Sequence, residues 1–381
     1  LTTSQGAFQL TRFPEHPRDP FRAWDAADEY LLRRLTDPEA GPVDLSGAVA
    51  VVGDRWGALT TALAAHRPVQ ISDSYLARRA TQANLERNGA DPAAARLLTS
   101  RETPPDRVDV LLIRVPKSLA YLEDQLHRIA PAVHAGTVVV AAGMVKEIHT
   151  STLKLFERII GPTRTSLAVR KARLIFCTPD PALPRTPSPW PHRYALPADV
   201  GPVSGRTVVN HAGIFCAERL DIGTRFFLGH LPARTGADRV VDLGCGNGVL
   251  GLAAALGNPQ AHLTFTDESY AAVASAEETF RASAPDGARA DFLVGDGIAD
   301  LAPGSADLVL NNPPFHSHQA TTDATARTMF LGARAALRQG GELWVVGNRH
   351  LAHHTRLRRI FGNCTTVAGD PKFVVLRAVK R

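Results

Sequence analysis

The chain has 381 residues, and at about 150 residues per domain that length predicts two or three domains, each able to bury its own core. Its 44% hydrophobic and 21% charged residues exclude a disordered tail, and no apolar run reaches the roughly 18 residues of a membrane span, nor does LTTSQGAFQLTRFP read as a secretory signal. Lys and Arg total 43 against 37 Asp and Glu, an excess that suits either a polyanionic partner or a solvated surface; the four scattered cysteines form no C-x-x-C pair, which predicts a reducing cytoplasm and neither disulfides nor a zinc ribbon.

In chain order, AVAVVG (48–53) reads as a buried strand and TALAAH after Gly57 as helical. VDVLLI (108–113) and TVVVAA (137–142) read as further buried strands separated by helical stretches. From Thr178 to Arg206 proline is so dense that helices and central strands are denied their donors, which predicts a domain boundary. Beyond it come DRVVDLG (238–244), a helix from about Val249, HLTFTD (262–267) and a helix from about Ser269. ADFLVGD (290–296), ADLVLNN (306–312), a helix over 326–338 and ELWVVGN (342–348) follow. Strands alternating with helices predict parallel sheets covered on both faces, so each half is expected to be a doubly wound α/β unit. The expected division is 1–177, a linker over 178–206, and 207–381.

The halves also resemble each other. VVGDRWGALT (51–60) lies over DLGCGNGVLG (242–251), which places Gly53 on Gly244 and Gly57 on Gly248. ISDSYLARRATQANL (71–85) parallels FTDESYAAVASAEETF (265–280), and VDVLLIRVPK (108–117) parallels ADLVLNNPPF (306–315). In this pairing Val51 replaces Asp242, Arg55 replaces Gly246 and Arg114 replaces Asn312, so the first half reads as a decayed copy that keeps a shape and loses a chemistry.

In the second half a strand ends in the loop Gly244-Cys245-Gly246-Asn247-Gly248, where glycines let a ligand reach backbone N–H groups at a helix start. Taken alone, G-x-G-x-G suits a dinucleotide site or a plain tight turn equally. The next strand ends in Asp267-Glu268 and the one after in Gly295-Asp296-Gly297. These acids are placed to meet ribose hydroxyls and an adenine amine, although each alone reads equally as a turn residue. Cys245, without a neighbouring base, reads as a small loop residue rather than a nucleophile. The strand ADLVLNN then runs into Pro313-Pro314-Phe315. Proline stops the ladder and stiffens the turn, presenting Asn312 at the glycine-loop edge. An amine on a base or amide is a poor nucleophile because its lone pair is delocalised. Acceptors on its N–H groups, the Asn312 oxygen and the Pro313 carbonyl, would aim that lone pair, and Phe315 would stack a planar base. The plainer alternative is a turn after an edge strand.

D-L-G-C-G-N-G resembles the cofactor motif of class I S-adenosylmethionine-dependent methyltransferases, and Asn-Pro-Pro-Phe resembles the motif of those that act on planar nitrogen. Through AWDAADEYLL, VPKSLAYLE, LDIGTRFFLGHLP, NNPPFHSH and IFGNCTTVA the whole chain is similar to the bacterial ribosomal RNA guanine-N2 methyltransferases, and most to their large-subunit (23S) branch. The resemblance implies two tandem doubly wound class I methyltransferase (Rossmann-like) domains, the amino-terminal one degenerate and bound to RNA, with catalysis in the second. It implies that S-adenosylmethionine is held by Asp242, Gly244, Cys245, Gly246, Asn247, Gly248, Asp267, Glu268, Asp296, Gly297 and Asn312. It further implies that Asn312, Pro313, Pro314 and Phe315 act on the guanine, and that LDIGTRFF covers the cofactor.

Acid-free basic stretches supply candidate phosphate contacts: Arg170 and Lys171 in one, Arg349, Arg356, Arg358 and Arg359 in another, with Arg114 and Lys117 at the old catalytic edge. A solvated face is the alternative for each. The pairs His316/His318 and His353/His354 lack the spacing of a metal site, so no metal is expected. The expectation is a cytoplasmic, monomeric 23S rRNA guanine-N2 methyltransferase. The alternatives are the 16S branch, a protein glutamine or DNA adenine methyltransferase, and a noncatalytic RNA-binding factor with a vestigial pocket.

Overall fold

The computed structural model of the chain describes residues 1–16, 19–314 and 319–381. Two compact units result, Leu1–Trp190 and Pro191–Arg381.

In the first unit a small hairpin of β1 (Thr2–Thr3) and β2 (Gly6–Ala7) precedes α1 (Ala26–Leu35). The sheet strands are β3 (Val49–Val52), β4 (Val69–Ser72), β5 (Arg96–Thr99), β6 (Val108–Arg114), β7 (Val133–Met144), β8 (Thr163–Thr165) and β9 (Ala172–Cys177). The α-helices between them are α2 (Ala58–Ala62), α3 (Tyr75–Arg87), α4 (Leu119–Ile129) and α5 (Thr150–Ile159). Strand order is β5-β4-β3-β6-β7-β9-β8, parallel from β5 through β7 and antiparallel beyond.

The second unit opens with a hairpin of β10 (His192–Ala195) and β11 (Thr207–Asn210), then α6 (Ile222–Leu228). Its sheet strands are β12 (Arg239–Leu243), β13 (His262–Asp267), β14 (Arg289–Val294), β15 (Ala306–Asn311), β16 (Leu337–Asn348), β17 (Thr365–Gly369) and β18 (Phe373–Val379). Helices α7 (Val249–Gly257), α8 (Tyr270–Ser283), α9 (Gln319–Ala336) and α10 (His353–Phe361) cover it. The order β14-β13-β12-β15-β16-β18-β17 repeats that of the first unit strand for strand, including the antiparallel end.

Period-2 alternation in each central strand explains the two-sided packing. Val240 packs with Leu252 of α7 and Phe280 of α8 on one face, while the adjacent Val241 packs with Phe330 of α9 and Leu357 of α10 on the other. In the first unit Val49 and Val51 meet Leu31 and Leu35 of α1, while Ala50 and Val52 meet Leu122 of α4 and Phe156 of α5. Side-chain caps start the helices as their sequences dictate. Asp25 accepts from the Ala27 N–H, Ser74 from that of Ala77, Asp221 from that of Thr224 and Ser269 from that of Ala272.

The division between units falls inside the proline-rich stretch, but that stretch is not a bare connector. Within the first unit Arg185 donates to the Ile159 carbonyl at 3.0 Å, Ser188 to Asp124 at 2.6 Å, and the Trp190 indole N–H to Glu123 at 3.3 Å. Within the second, the proline-free tetrapeptide His192–Ala195 keeps the donors it needs to pair as β10, and β11 docks on α8 through Val209 N–H to Thr279 Oγ1 at 2.9 Å.

Candidate active site

Four neighbouring parallel strands of the second unit end at one edge of the sheet. Leu243 of β12 pairs with Thr266 of β13 and with Asn311 of β15, and Asp267 pairs with Val294 of β14. This is the edge where open α/β sheets bind ligands, and it gathers Asp242, the glycine loop, Asp267, Asp296 and Asn312.

The loop is fixed from behind. The N–H groups of Gly244 and Cys245 donate to the Thr266 carbonyl at 2.8 and 3.0 Å, and the Gly248 N–H to that of Cys245 at 2.8 Å. Gly244, Gly246 and Gly248 have φ of +71°, +52° and +78°, conformations that L side chains rarely adopt. A Cβ at Gly248 would stand 2.9 Å from the Ala276 Cα, so this glycine lets the loop press on α8. A Cβ at Gly246 would meet nothing within 4 Å; here the glycine leaves open space above the backbone.

The acids differ in environment. Asp242 is buried with one oxygen accepting from the Gly251 N–H at 2.8 Å. Burial pushes its carboxyl up to about 7, and nearby Asp267 adds to the rise against the favouring Gly251 N–H. Asp267 accepts from Gly246 N–H at 3.1 Å and from Ser269 N–H at 3.0 Å, and its carboxyl is raised by burial against these donors. Glu268 and Gly297 are half-buried beside their acids, and Asp296, also half-buried, is raised by burial and by Asp300. Cys245 is buried with its thiol pushed well up by burial, which makes it a poor nucleophile.

Asn312 is the chemically unusual group. Its Nδ2 donates to Thr224 Oγ1 at 2.9 Å and to Asp221 Oδ2 at 3.3 Å, both at the start of α6. Its Oδ1 is buried and has no hydrogen-bond partner among the described residues. Orphaned buried acceptors are rare and call for an explanation. Pro313 is buried and Pro314 exposed, so the chain turns away at once after presenting Asn312. Phe315, His316 and His318 lie outside the described residues.

Several neighbours carry no signal of their role in the sequence. Asn210 at the end of β11 is fully buried and accepts from Asn247 of the loop at 3.0 Å. Asn311 ties β15 to β12 by donating to the Leu243 carbonyl at 2.7 Å. Asp221 and Thr224 form an N-cap and N3 pair, a local signal that is readable in LDIGT, although their contact with Asn312 is not.

Residues 1–181 match a family profile described as the RLMG N-terminal domain and residues 205–377 one described as the methyltransferase small domain. Over 100% of this chain and 99% of theirs, proteins called ribosomal RNA large subunit methyltransferase G are 85% identical in Streptomyces griseus subsp. griseus and 47% identical in Aeromonas salmonicida. The chain belongs to the ribosomal RNA large subunit methyltransferase G family. A solved structure, "T. Thermophilus 16S rRNA N2 G1207 methyltransferase (RsmC) in complex with AdoMet and Guanosine", covers 98% of each chain at a TM-score of 0.73 and 23% identity, a likeness of fold.

The two methyltransferase-fold units of the chain make the loss in the first one legible residue by residue. Gly53 N–H donates to the Ile71 carbonyl as Gly244 N–H does to that of Thr266. The strict counterpart of Asp267 is therefore Ser72, not Asp73 as the letters I-S-D and F-T-D suggest; Ser74 N–H donates to Ser72 Oγ as Ser269 N–H donates to Asp267. The first unit thus lacks this acid as well. Asp54, at the Cys245 position, takes over the job of Asp242: its carboxylate accepts from the N–H groups of Gly57, Ala58 and Thr60 at 2.9–3.1 Å. Arg55, at the Gly246 position, reaches Asp25 and Glu147 at 3.4 and 3.3 Å.

Arg114 corrects an expectation. It does not present a cation for RNA: it is 1% exposed, with Nη2 on Asp25 at 2.9 Å, Nε on Asp28 at 2.8 Å and Nη1 on the Ala142 carbonyl at 3.1 Å. A strand-end cation with two carboxylates at the start of the covering helix is drawn inward, because pairing offsets the cost of burial only when its donors are matched. Lys117, Lys171, Arg349, Arg358 and Arg359 are exposed and Arg356 half-buried; exposed Arg170 pairs with Glu29 at 2.9 Å. Among the described residues no group of three or more candidate ligands is placed to hold a metal, and no helix is long and apolar enough to cross a membrane.

Proposed function

We propose that the chain transfers a methyl group from S-adenosylmethionine to the exocyclic N2 amine of a guanine in 23S rRNA, using the second unit. The observation that carries this reading is the buried, unpartnered Asn312 Oδ1 at the same sheet edge as the glycine loop. An acceptor held there suits the N–H of a planar amine.

The residues fit the cofactor: open space over Gly246, loop glycines with positive φ, and half-buried carboxylates at Asp267 and Asp296 where ribose and adenine would lie. When bound, S-adenosylmethionine supplies an electrophilic methyl on its sulfonium. Asn312 Oδ1 and the Pro313 carbonyl accept the amine's N–H groups and aim its lone pair, so orientation replaces a strong base. Asp242 holds the Gly251 N–H and fixes the loop from within. The proposal also gives Phe315, which lies outside the described residues, the role of stacking the base.

The rRNA substrate accords with the names of the relatives and with exposed cations. Arg358 and Arg359 project from α10, and the first unit carries a groove of about 890 Å³ lined by Arg33, Arg164, Arg170, Tyr30 and Phe176 together with the acids Glu29 and Asp37. In it the Arg164 guanidinium lies 4.1 Å from the Phe176 ring centroid, a surface suited to phosphate and stacked bases. The proposal includes a monomer acting in the cytoplasm, where rRNA is made.

The test is incubation with labelled S-adenosylmethionine and rRNA from cells lacking the enzyme, followed by a base-level digest. One labelled N2-methylguanine in 23S rRNA is expected, and Asn312→Ala should abolish it. Label in 16S rRNA, adenine or protein glutamine, or a full rate in the variant, would overturn the reading.

A further inference from the structure

An amide is a two-headed group: oxygen accepts and NH₂ donates, and the two ends are nearly the same shape. Asn312 can serve the amine only if its oxygen faces the substrate, so something must choose between its two orientations. The start of α6 makes that choice. Asp221 Oδ2 lies 3.3 Å from the Asn312 amide nitrogen, and a carboxylate can only accept. Turning the amide over would bring its oxygen against that carboxylate, two acceptors in contact. Thr224 Oγ1 at 2.9 Å takes the second N–H. Both anchors are themselves fixed, because Asp221 Oδ2 also accepts the Thr224 N–H at 2.8 Å as the N-cap of α6. Gly223 between them leaves the room: a Cβ there would stand 3.1 Å from that same Asp221 oxygen and 3.2 Å from the Phe373 ring.

The first unit supplies an internal comparison. Arg114, the counterpart of Asn312, meets Asp25 and Asp28, the N-cap and N3 residues of α1, as Asn312 meets Asp221 and Thr224. The contact between strand end and helix start therefore belongs to the fold in both units. What differs is what remains: Arg114 has only donors to give, whereas Asn312 gives its donors to the helix and keeps an acceptor.

We infer that Thr224, together with Asp221, is a positioning residue for methyl transfer, anchoring the Asn312 amide nitrogen so that its oxygen is committed to the substrate amine. This rests on the transfer role proposed for Asn312. Thr224 touches neither reacting atom, and its effect passes through the amide alone. The α6 segment thus does more than cover the cofactor.

Thr224→Val keeps the shape and the capping N–H but removes the acceptor, while Thr224→Ser keeps the acceptor. With the full chain, rRNA lacking the modification and both substrates saturating, Thr224→Val should lower kcat by about ten- to a hundredfold. Its KM for rRNA and its calorimetric affinity for S-adenosylmethionine should stay within about twofold, and Thr224→Ser should restore kcat to within about threefold. A wild-type kcat in Thr224→Val, or a Thr224→Ser variant as slow as Thr224→Val, would overturn the anchor while leaving an inactive Asn312→Ala, and hence the transfer reading, intact. A full rate in Asn312→Ala would instead remove the transfer reading and the anchor with it.

Discussion

Arg114 and Asn312 occupy one position in two copies of a sheet. Each follows the residue that pairs across to the central strand, Ile113 with Val52 and Asn311 with Leu243, and each delivers its nitrogens to the first turn of the helix that covers that edge. Exchanging an amide for a guanidinium turns an accepting corner into a sealed ion cluster.

That sealing predicts a stability effect rather than a binding one. Arg114→Ala would leave buried Asp28 without its counter-charge and Asp25 with Arg55 alone, and breaking one side of a buried pair costs about 3–5 kcal/mol. Denaturant titration should show this loss, while the rRNA affinity of the folded protein should not change beyond about twofold. A stable variant with weakened RNA binding would reverse the assignment.

Asp242 predicts a pH dependence. Its folded carboxyl is raised to about 7 from an ordinary value of 3.8, so between these values the folded state holds a proton that the unfolded chain has released. Stability from this group therefore falls as pH rises from about 4 to about 7, and is flat above. Across that range the thermal midpoint of the wild type should fall relative to that of Asp242→Asn; a constant difference between the two would remove the assignment.

Gly57 and Gly248 offer a matched pair. A Cβ would stand 2.6 Å from the Thr81 Cα in the first unit and 2.9 Å from the Ala276 Cα in the second, at φ of +80° and +78°. Either change to alanine should destabilise its own unit by about 1–3 kcal/mol. Only Gly248→Ala should also weaken S-adenosylmethionine binding by calorimetry, because the cofactor is assigned to one loop alone.

Arg358→Ala with Arg359→Ala removes two exposed cations from α10. For every phosphate that these side chains neutralise, the slope of log affinity against log salt should flatten by about 1 in the double variant, with no change in kcat at saturating rRNA. An unchanged slope would assign this face to solvent.

What the sequence makes legible follows from how each feature is encoded. HLTFTD matches β13 at both ends because Leu263 and Phe265 alternate with β-branched threonines, a pattern that fits a strand and no helix, and the capped starts of α3 and α8 follow Ser74 and Ser269. The antiparallel ends escape that reading for two reasons: the edge strands β8 and β17 are largely exposed, and in the mostly buried β9 and β18 an arginine, Arg173 or Arg377, interrupts the apolar run. Likewise β10 is hidden among prolines that flank it without interrupting it. Pairing Asp73 with Asp267 looks right by letter, yet register is set by backbone partners, and those place Ser72 there. The candidate site is legible where it is local, in the glycine loop and Asn-Asn-Pro-Pro. Asn312 with Thr224, or Arg114 with Asp28, unites residues remote in the chain, and no local pattern in either segment encodes the other.

The interlocking of Arg55 and Arg114 with Asp25, Asp28 and Glu147 has a consequence for descent. Restoring asparagine at 114 alone would leave buried Asp28 without its cation, and restoring glycine at 55 alone would take the paired cation from Glu147. Each backward step is harmful until its companions are taken, so the amino-terminal lobe is held by a ratchet of mutual compensation, and a second catalytic centre cannot be regained there one substitution at a time.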